Sequence, residues 1–183
     1  MKRIVTATAG LAGLAGAVGL AASARAALPV GSTAPDFQVQ ASLAGKPMPF
    51  SLAQALKKGP VVLYFFPAAF TSGCTKEAHD FAEATPEFAR LGATVLGVTA
   101  GNIERVAEFS SAECRDKFPV AGDPGLKVAG AYKSTLMLRP GWSDRTSYVI
   151  APDHKIVLAY SALNPDEHVA RTLAAVKALK GAK

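Results

Sequence analysis

The sequence predicts a single α/β domain in which a mixed central sheet carries helices on both faces. The apolar run over residues 61–66 lies between two prolines and is short, β-branched at its start and aromatic at its end. Such a run is typical of a central strand that is buried on both faces. Strand and helix patterns alternate after it, and two strands and a helix close the chain, as expected for a mixed sheet between layers of helices.

The length of 183 residues, with a hydrophobic fraction of 50%, suits one domain and is short for two domains that each have a hydrophobic core. Residues 1–26 have the pattern of a secretory signal peptide, so the domain is expected over residues 27–183. Lys2 and Arg3 give a positive start, an Ala-, Gly- and Leu-rich stretch follows, and Ala24-Arg25-Ala26 offers a small-x-small cleavage pattern.

Cleavage near Ala26/Ala27 predicts a periplasmic or secreted protein. The alternative is an uncleaved anchor, because the uncharged residues 4–24 are long enough to span a bilayer. Their Gly and Ala content makes insertion weak, so no stable membrane association is expected.

The net charge of +6 gives little indication of a partner. Lys2, Arg3 and Arg25 contribute three of these charges, which leaves +3 for the expected domain. Basic residues are not clustered with aromatic ones, so nucleic-acid binding is not expected. The three histidines lack ligand spacing, which argues against a metal site; they are His79, His154 and His168.

The first helices are predicted from their boundaries. A helix over residues 51–58 ends at Gly59-Pro60, and the next begins near Thr75. Pro86 is expected to kink or restart that helix, because proline removes a backbone hydrogen bond. Strands are predicted over residues 36–40, 61–66, 93–99, 118–121, 146–150 and 156–160.

Capping signals predict the later helices. Asn102 is expected to cap one helix. Ser110 and Glu113 form the pattern Ser-x-x-Glu, which predicts a separate short helical turn over residues 111–117 that carries Cys114. A further short helix is predicted over residues 126–132.

The last helix has the clearest start. Asn164 is the expected cap, Pro165 the first helical residue and Glu167 the partner in the capping box. This order of elements fits a thioredoxin-like sandwich. The buried face of the last helix is expected to contain Val169, Leu173 and Val176.

Cys74 is expected where a buried strand ends and a helix begins. Free backbone N–H groups and the positive end of the helix dipole point at that position. A thiolate is stabilised there and becomes a usable nucleophile. The chain lacks a Cys-x-x-Cys pair, which argues against a thioredoxin-type oxidoreductase.

The spacing Pro67-x-x-x-Thr71-x-x-Cys74 resembles the active-site motif of peroxiredoxins. The wider stretch over residues 64–78 is similar to their PrxQ branch, the bacterioferritin-comigratory proteins. Arg145-Thr146-Ser147-Tyr148-Val149-Ile150 resembles the strand that begins with the active-site arginine in this family. The resemblance covers nearly all of the chain after the signal peptide.

This resemblance implies a thioredoxin-like domain with thiol-dependent peroxidase activity and no metal, haem or flavin. Cys74 would be the peroxidatic cysteine, and Thr71 would orient the peroxide. Pro67 would shield the thiolate, and Arg145 would stabilise both the thiolate and the developing charge. The amides near Gly73 and Cys74 can donate to the departing oxygen.

The second cysteine departs from the nearest pattern. Many PrxQ proteins carry a resolving cysteine five residues after the first, where this chain has His79. The resemblance then implies that Cys114 resolves the sulfenic acid as an intramolecular Cys74–Cys114 disulfide, the atypical two-cysteine arrangement. A thioredoxin-like or other dithiol would reduce this disulfide. Alternatively, Cys114 is buried and idle, and an external thiol acts directly.

Two other functions stay open at this point. One is an exported thiol–disulfide exchange protein. The other is a non-catalytic domain with a structural Cys74–Cys114 bridge, since paired cysteines of exported proteins usually form disulfides. The chain is expected to be a monomer or a weak homodimer.

Overall fold

The computed structural model describes residues 27–181. The predicted signal peptide lies outside these residues. Within them, seven strands form one sheet in the order β2-β1-β5-β4-β3-β6-β7, which confirms the predicted mixed sheet. The strands are β1 Gln38–Leu43, β2 Lys46–Ser51, β3 Val61–Ala68, β4 Thr94–Gly101, β5 Val120–Gly122, β6 Thr146–Ile150 and β7 Ile156–Ser161.

The central strand β3 pairs in parallel with β4 and antiparallel with β6. Helices cover both faces of the sheet, so successive side chains of β3 enter two different cores. This is why the run over residues 61–66 is apolar throughout instead of alternating. The helices are α1 Leu52–Leu56, α2 Ser72–Arg90, α3 Val106–Ala112, α4 Lys127–Ala131 and α5 His168–Gly181.

One face of the sheet holds both cysteines. Val62, Tyr64 and Phe66 of β3 pack there with residues of α2, α3 and α5, and Cys74 and Cys114 belong to the same apolar cluster, the cysteine-side core. The opposite core contains Val61, Leu63 and Phe65 of β3 together with residues of α1 and α4.

Helix α2 begins earlier than predicted and does not restart at Pro86. It runs from Ser72 to Arg90 as one element, so Cys74 lies in its first turn. Proline leaves one carbonyl of the preceding turn without its usual donor. Phe81 and Phe88, on either side of Pro86, are fully buried, and their packing keeps the helix together.

Strand β2 is absent from the sequence prediction because its two prolines argue against a strand. It lies at the edge of the sheet, where Pro47 and Pro49 are tolerated because one side of the strand has no partner. Strand β3 extends through Pro67 to Ala68, one residue beyond the proline expected to end it.

Two predicted caps are wrong in detail. Asn102 adopts a left-handed conformation and makes no capping hydrogen bond; its side-chain amide donates to the carbonyl of Ala69 at 2.8 Å. Helix α5 begins at His168, after a turn in which Asn164 Oδ1 accepts the amide of Asp166.

The buried face of α5 is rotated relative to the prediction. His168, Thr172 and Val176 are fully buried. Val169 and Leu173 pack at the edge of the core and are only partly buried. Polar side chains therefore occupy positions that a purely hydrophobic pattern does not reveal.

No helix within residues 27–181 is both long enough and apolar enough to cross a bilayer. Across the same residues, no group of three or more His, Cys, Asp or Glu side chains is arranged to hold a metal ion.

Candidate active site

Cys74 lies in the first turn of α2, immediately after the loop that follows β3. Thr71 is the N-cap residue, and the first helical hydrogen bond runs from the Thr75 amide to the Thr71 carbonyl at 2.8 Å. The amides of Ser72, Gly73 and Cys74 precede this bond and have no acceptor within the helix. They supply free N–H donors and the positive end of the helix dipole beside the sulfur.

Arg145 brings a cation to this thiol. It precedes β6, is only 4% exposed, and donates from Nη2 to Cys74 Sγ at 3.4 Å. Its Nε donates to the carbonyl of Leu163 at 2.8 Å, and its Nη1 donates to the carboxylate of Glu77. Two contacts on α2 and one on the loop after β7 therefore fix the guanidinium against the sulfur.

Gly73 leaves room for this arrangement. A Cβ atom at Gly73 would lie 3.2 Å from Nη2 of Arg145, which is tighter than ordinary contacts. A glycine before Cys74 thus allows the guanidinium to approach the first turn of the helix.

Thr71 and Pro67 precede Cys74 in the chain, Pro67 within β3 and Thr71 at the N-cap of α2. The hydroxyl of Thr71 donates to the carbonyl of Ala68 at 3.2 Å and does not cap the helix. The carbonyl of Pro67 accepts from the hydroxyl of Thr99 at 3.2 Å. Thr71 is partly exposed, so its hydroxyl can exchange this internal acceptor for an incoming ligand.

Two buried residues of the site were not predicted from the sequence. Glu77 and His168 are both fully buried behind Arg145, with His168 Nδ1 3.6 Å from Glu77 Oε1. Burial raises the pKa of Glu77 to about 8, against the lowering effect of Arg145. The Oε1 atom has no hydrogen-bond partner among the described residues.

His168 is neutral near pH 7, because burial lowers its pKa to about 4. Its Nε2 faces the carbonyl of Ala162 at 2.9 Å and is therefore the protonated nitrogen. Its Nδ1 then accepts from the hydroxyl of Ser147 at 2.8 Å. With both nitrogens satisfied, His168 fills the space behind Glu77 without bringing a second cation.

The carboxyl group of Glu77 and the thiol of Cys74 share one guanidinium. Placing two negative charges in a buried site beside one cation is costly, so the arrangement favours a single anion at a time. Because burial disfavours the ionised form of Glu77, the positive charge of Arg145 is left available to a thiolate at Cys74.

The position of Glu77 was available from the sequence. It follows Cys74 by three residues on the same helix, which places both on one face. Glutamate within an otherwise apolar face is the signal that points to a buried partner such as Arg145. His168 has no such local signal, since it joins the site only through the packing of α5.

Cys114 is not in a separately capped helical turn, and that prediction is wrong. It follows the end of α3, with Glu113 as the C-cap residue. The hydroxyl of Ser110 donates to the carbonyl of Ala107 and accepts from the amide of Gly45, so it is not available as a cap.

Both cysteines are free thiols in the structure. Cys114 is fully buried, and burial raises the pKa of its thiol well above the ordinary value, with a further increase from the charge of Glu113. His79, which stands at the second cysteine position of many PrxQ sequences, hydrogen-bonds Glu113 at 2.7 Å.

Comparison with known proteins identifies the family. Residues 30–159 match the model of the AhpC/TSA family. The chain belongs to this family. It is 31% identical to the chloroplastic peroxiredoxin Q of Sedum lineare over 151 residues, which cover 82% of this chain and 78% of that protein.

Solved structures of peroxiredoxins share its fold. Peroxidoxin BcpB of Mycobacterium tuberculosis superposes with a TM-score of 0.74 and 32% identity, over 83% of this chain and 98% of that one. PrxQ of Xylella fastidiosa gives a TM-score of 0.72 and 25% identity, over 84% and 98%. The thioredoxin-like fold and the similarity to the PrxQ branch are confirmed. As a peroxiredoxin, the chain is a thiol-dependent peroxidase, an oxidoreductase.

Proposed function

We propose that Cys74 is the nucleophile of this peroxiredoxin and that Cys114 resolves the oxidised form. The contact between Arg145 Nη2 and Cys74 Sγ, in the first turn of α2, is the observation that carries the first part. A buried cation and free helix amides both favour the ionised, nucleophilic form of a thiol.

In the first step, the Cys74 thiolate attacks one oxygen of a hydroperoxide. A sulfur–oxygen bond forms as the oxygen–oxygen bond breaks, and the sulfur gives two electrons to the peroxide. The departing oxygen takes up a proton and leaves as water or an alcohol, while Cys74 becomes a sulfenic acid. Hydrogen peroxide and organic hydroperoxides both fit this chemistry.

Five residues assist this step in the proposal. Arg145 and the amides of Gly73 and Cys74 stabilise the charge that develops on the oxygen atoms. The Thr71 hydroxyl turns from the Ala68 carbonyl to hydrogen-bond the peroxide. Pro67 shapes the pocket wall without offering a competing N–H donor.

In the second step, the Cys114 thiol attacks the sulfenic acid of Cys74. A Cys74–Cys114 disulfide forms and water leaves. An external thioredoxin-like dithiol then reduces the disulfide by exchange and is itself oxidised to a disulfide. The placement of both cysteines in one core, with Cys114 beyond the end of a seven-residue helix, supports this step.

Mass spectrometry of the reduced protein after one equivalent of hydrogen peroxide tests this cycle. A rapid Cys74–Cys114 disulfide is expected in the parent, and sulfenic acid trapped on Cys74 is expected in Cys114→Ser. Oxidation of Cys74 no faster than that of a free thiol would overturn the nucleophile assignment. Reduction of a protein disulfide faster than peroxide would favour an exchange protein instead.

We also propose that the protein is exported and acts in the periplasm or outside the cell as a monomer or weak homodimer. The three-part pattern of residues 1–26 supports export. N-terminal sequencing of the protein from fractionated cells is expected to give a start near Ala27 outside the cytoplasm. An intact Met1 in the cytoplasmic fraction would contradict export, and sedimentation of the mature chain gives its assembly state.

A further inference from the structure

A hydrogen bond and an ion pair join the Cys114 segment, residues 113–117, to helix α2. Glu113 Oε2 lies 2.7 Å from Nε2 of His79, and Arg115 Nη1 lies 3.1 Å from Oε1 of Glu83. The residues on either side of Cys114 thus each hold a partner on α2. His79 and Glu83 are four residues apart, so they face the segment from successive turns of one helix.

The backbone at Arg115 and at the residue after it is under conformational strain. Arg115 and Asp116 are consecutive non-glycine residues with φ of 52° and 59°. This left-handed region is unfavourable for residues that carry a Cβ atom. The Ser111 hydroxyl donates to Asp116 Oδ1 at 2.8 Å and helps to hold the turn.

We propose that the His79–Glu113 and Glu83–Arg115 pairs form a latch that keeps Cys114 in the cysteine-side core and opens to let its thiol reach Cys74. This inference rests on the proposed function, in which Cys114 is the resolving cysteine. His79 and Glu83 are then positioning residues, because they act on the reaction through the segment that carries Cys114.

The latch is built to open more easily than the core beneath it. Its side chains are partly exposed, from 20% for Glu113 to 70% for Glu83. Water weakens polar contacts at such positions, and salt further weakens the Glu83–Arg115 ion pair. Release of the two pairs also allows Arg115 and Asp116 to leave the left-handed region, so strain relief favours the opened segment.

Labelling of Cys114 measures this opening without the peroxidase cycle. In a Cys74→Ser background, Cys114 is the one remaining thiol, and it is fully buried, so a maleimide reacts only when the segment opens. We expect Glu83→Gln and His79→Ala each to accelerate labelling by about threefold, the size expected for loss of one partly exposed ion pair or hydrogen bond. Added salt accelerates labelling of the Cys74→Ser protein and has less effect when Glu83→Gln and His79→Ala are combined in that background.

Glu87→Gln is the matched control. Glu87 lies one turn beyond Glu83 on α2 and pairs with Lys177 of α5 at 2.7 Å, away from Cys114. It is expected to leave the labelling rate unchanged. The urea midpoint of each variant separates local opening from general destabilisation. We expect the loss of global stability in the latch variants to be too small to explain their faster labelling.

A charge exchange tests the pairing directly. Glu83→Arg alone places two arginines together and is expected to accelerate labelling, whereas Glu83→Arg combined with Arg115→Glu restores the slow rate. Equal labelling rates in the latch variants and the Glu87→Gln control would overturn the latch. The latch would also be overturned if labelling of the variant with both Glu83→Arg and Arg115→Glu were as fast as labelling of Glu83→Arg alone.

Quenched-flow measurement of the Cys74–Cys114 disulfide distinguishes the latch from the proposed function. With Cys74 present, Glu83→Gln and His79→Ala are expected to form the disulfide about threefold faster. Absence of the disulfide in the parent overturns the resolving role of Cys114. If the variants whose Cys114 is labelled faster form the disulfide no faster than the parent, the latch does not control the resolving step.

Discussion

The two cysteines share one core but have opposite electrostatic surroundings. Cys74, 1% exposed, lies in the first turn of α2 and accepts a hydrogen bond from the guanidinium of Arg145. Cys114, 0% exposed, follows the C-terminal end of α3 and lies beside Glu113. One thiol meets the positive end of a helix and a cation, and the other meets the negative end and an anion.

The comparison shows that burial alone does not decide the reactivity of a thiol. Both thiols are buried, but only Cys74 lies against a guanidinium and free helix amides. At Cys114 the charge of Glu113 adds to burial, so the pKa rises further. The difference supports the proposed division between a nucleophile that reacts in place and a thiol that reacts after moving.

The largest expected difference is between serine substitutions of the two cysteines. Cys74→Ser is expected to slow peroxide consumption by at least about a thousandfold, because the nucleophile is lost. Cys114→Ser leaves the first oxidation within about twofold of the parent, because its sulfur takes no part in that step. Single-turnover peroxide consumption in rapid-quench experiments measures both. Similar losses in the two variants would remove the proposed division.

Arg145 is expected to serve Cys74 and not Cys114. Arg145→Met removes the charge that stabilises the thiolate and the departing oxygen, and we expect about a hundredfold slower oxidation of Cys74. Maleimide labelling of Cys114 stays within about twofold. Arg171→Met, which removes an exposed arginine of α5 paired with Glu167, is the control. A loss below about threefold in Arg145→Met contradicts the assignment.

Substitutions of Thr71 test whether a single hydroxyl contributes to the reactivity of Cys74. Thr71→Val keeps the shape of the side chain but removes the donor proposed to bind peroxide, and we expect oxidation of Cys74 to slow by about thirtyfold. Thr71→Ser retains the hydroxyl and most of the rate. If the valine variant matches the serine variant in stopped-flow assays, the hydroxyl has no part in the reaction.

The last expected effect is on the pH dependence of the free energy of unfolding. It involves two buried groups on the Cys74 side of the core. The folded pKa of His168, about 4, is below its ordinary 6.5, so its contribution to stability is lost as pH falls from 6.5 towards 4. The folded pKa of Glu77, about 8, is above its ordinary 4.5, so its contribution is lost as pH rises from 4.5 towards 8. The two effects oppose each other between pH 4.5 and 6.5.

Single substitutions are expected to reveal each effect. On acidification from pH 6.5 to 4.5, Glu77→Gln loses about 2 kcal/mol of unfolding free energy and His168→Gln gains about 2 kcal/mol, while the parent changes little from these groups. Urea unfolding across this range measures the slopes. Parallel pH profiles for the two variants would show that Glu77 and His168 do not titrate as an opposed pair.

The sequence predicts most of the sheet because its strongest strands are central. Strand β6, Thr146–Ile150, is predicted to the residue, and β3 is identified by its uninterrupted apolar run. The edge strand β2 escapes prediction because Pro47 and Pro49 conflict with local strand preferences, and only its position beside β1 accommodates them.

The core of the site is also predictable where its residues are close in sequence. Thr71, Gly73 and Cys74 fall on one loop and helix start, so local physics brings them together. The contact of Arg145 with Cys74 was expected from the resemblance to peroxiredoxins. Glu77 and His168 escaped because buried polar groups are decided by the partners that packing supplies.

The environment of Cys114 shows the limit of local patterns. Ser110 and Glu113 have the spacing of a capping box, yet Ser110 belongs to α3 and bonds the carbonyl of Ala107 instead. Glu113 turns to His79 on another helix. A capping box depends on both side chains facing their own backbone, and tertiary partners redirected both of them here.

In the proposed cycle, the placement of both thiols on one side of the sheet determines which part of the chain moves. The opposite core, which includes Val61, Leu63 and Phe65, contains neither cysteine. A displacement of residues 113–117 therefore uncovers one layer of side chains and leaves the pairing of the strands in place. In this proposal the seven-stranded sheet and its far layer act as a fixed frame, and a single turn of chain supplies the mobility that other enzymes obtain from hinged domains.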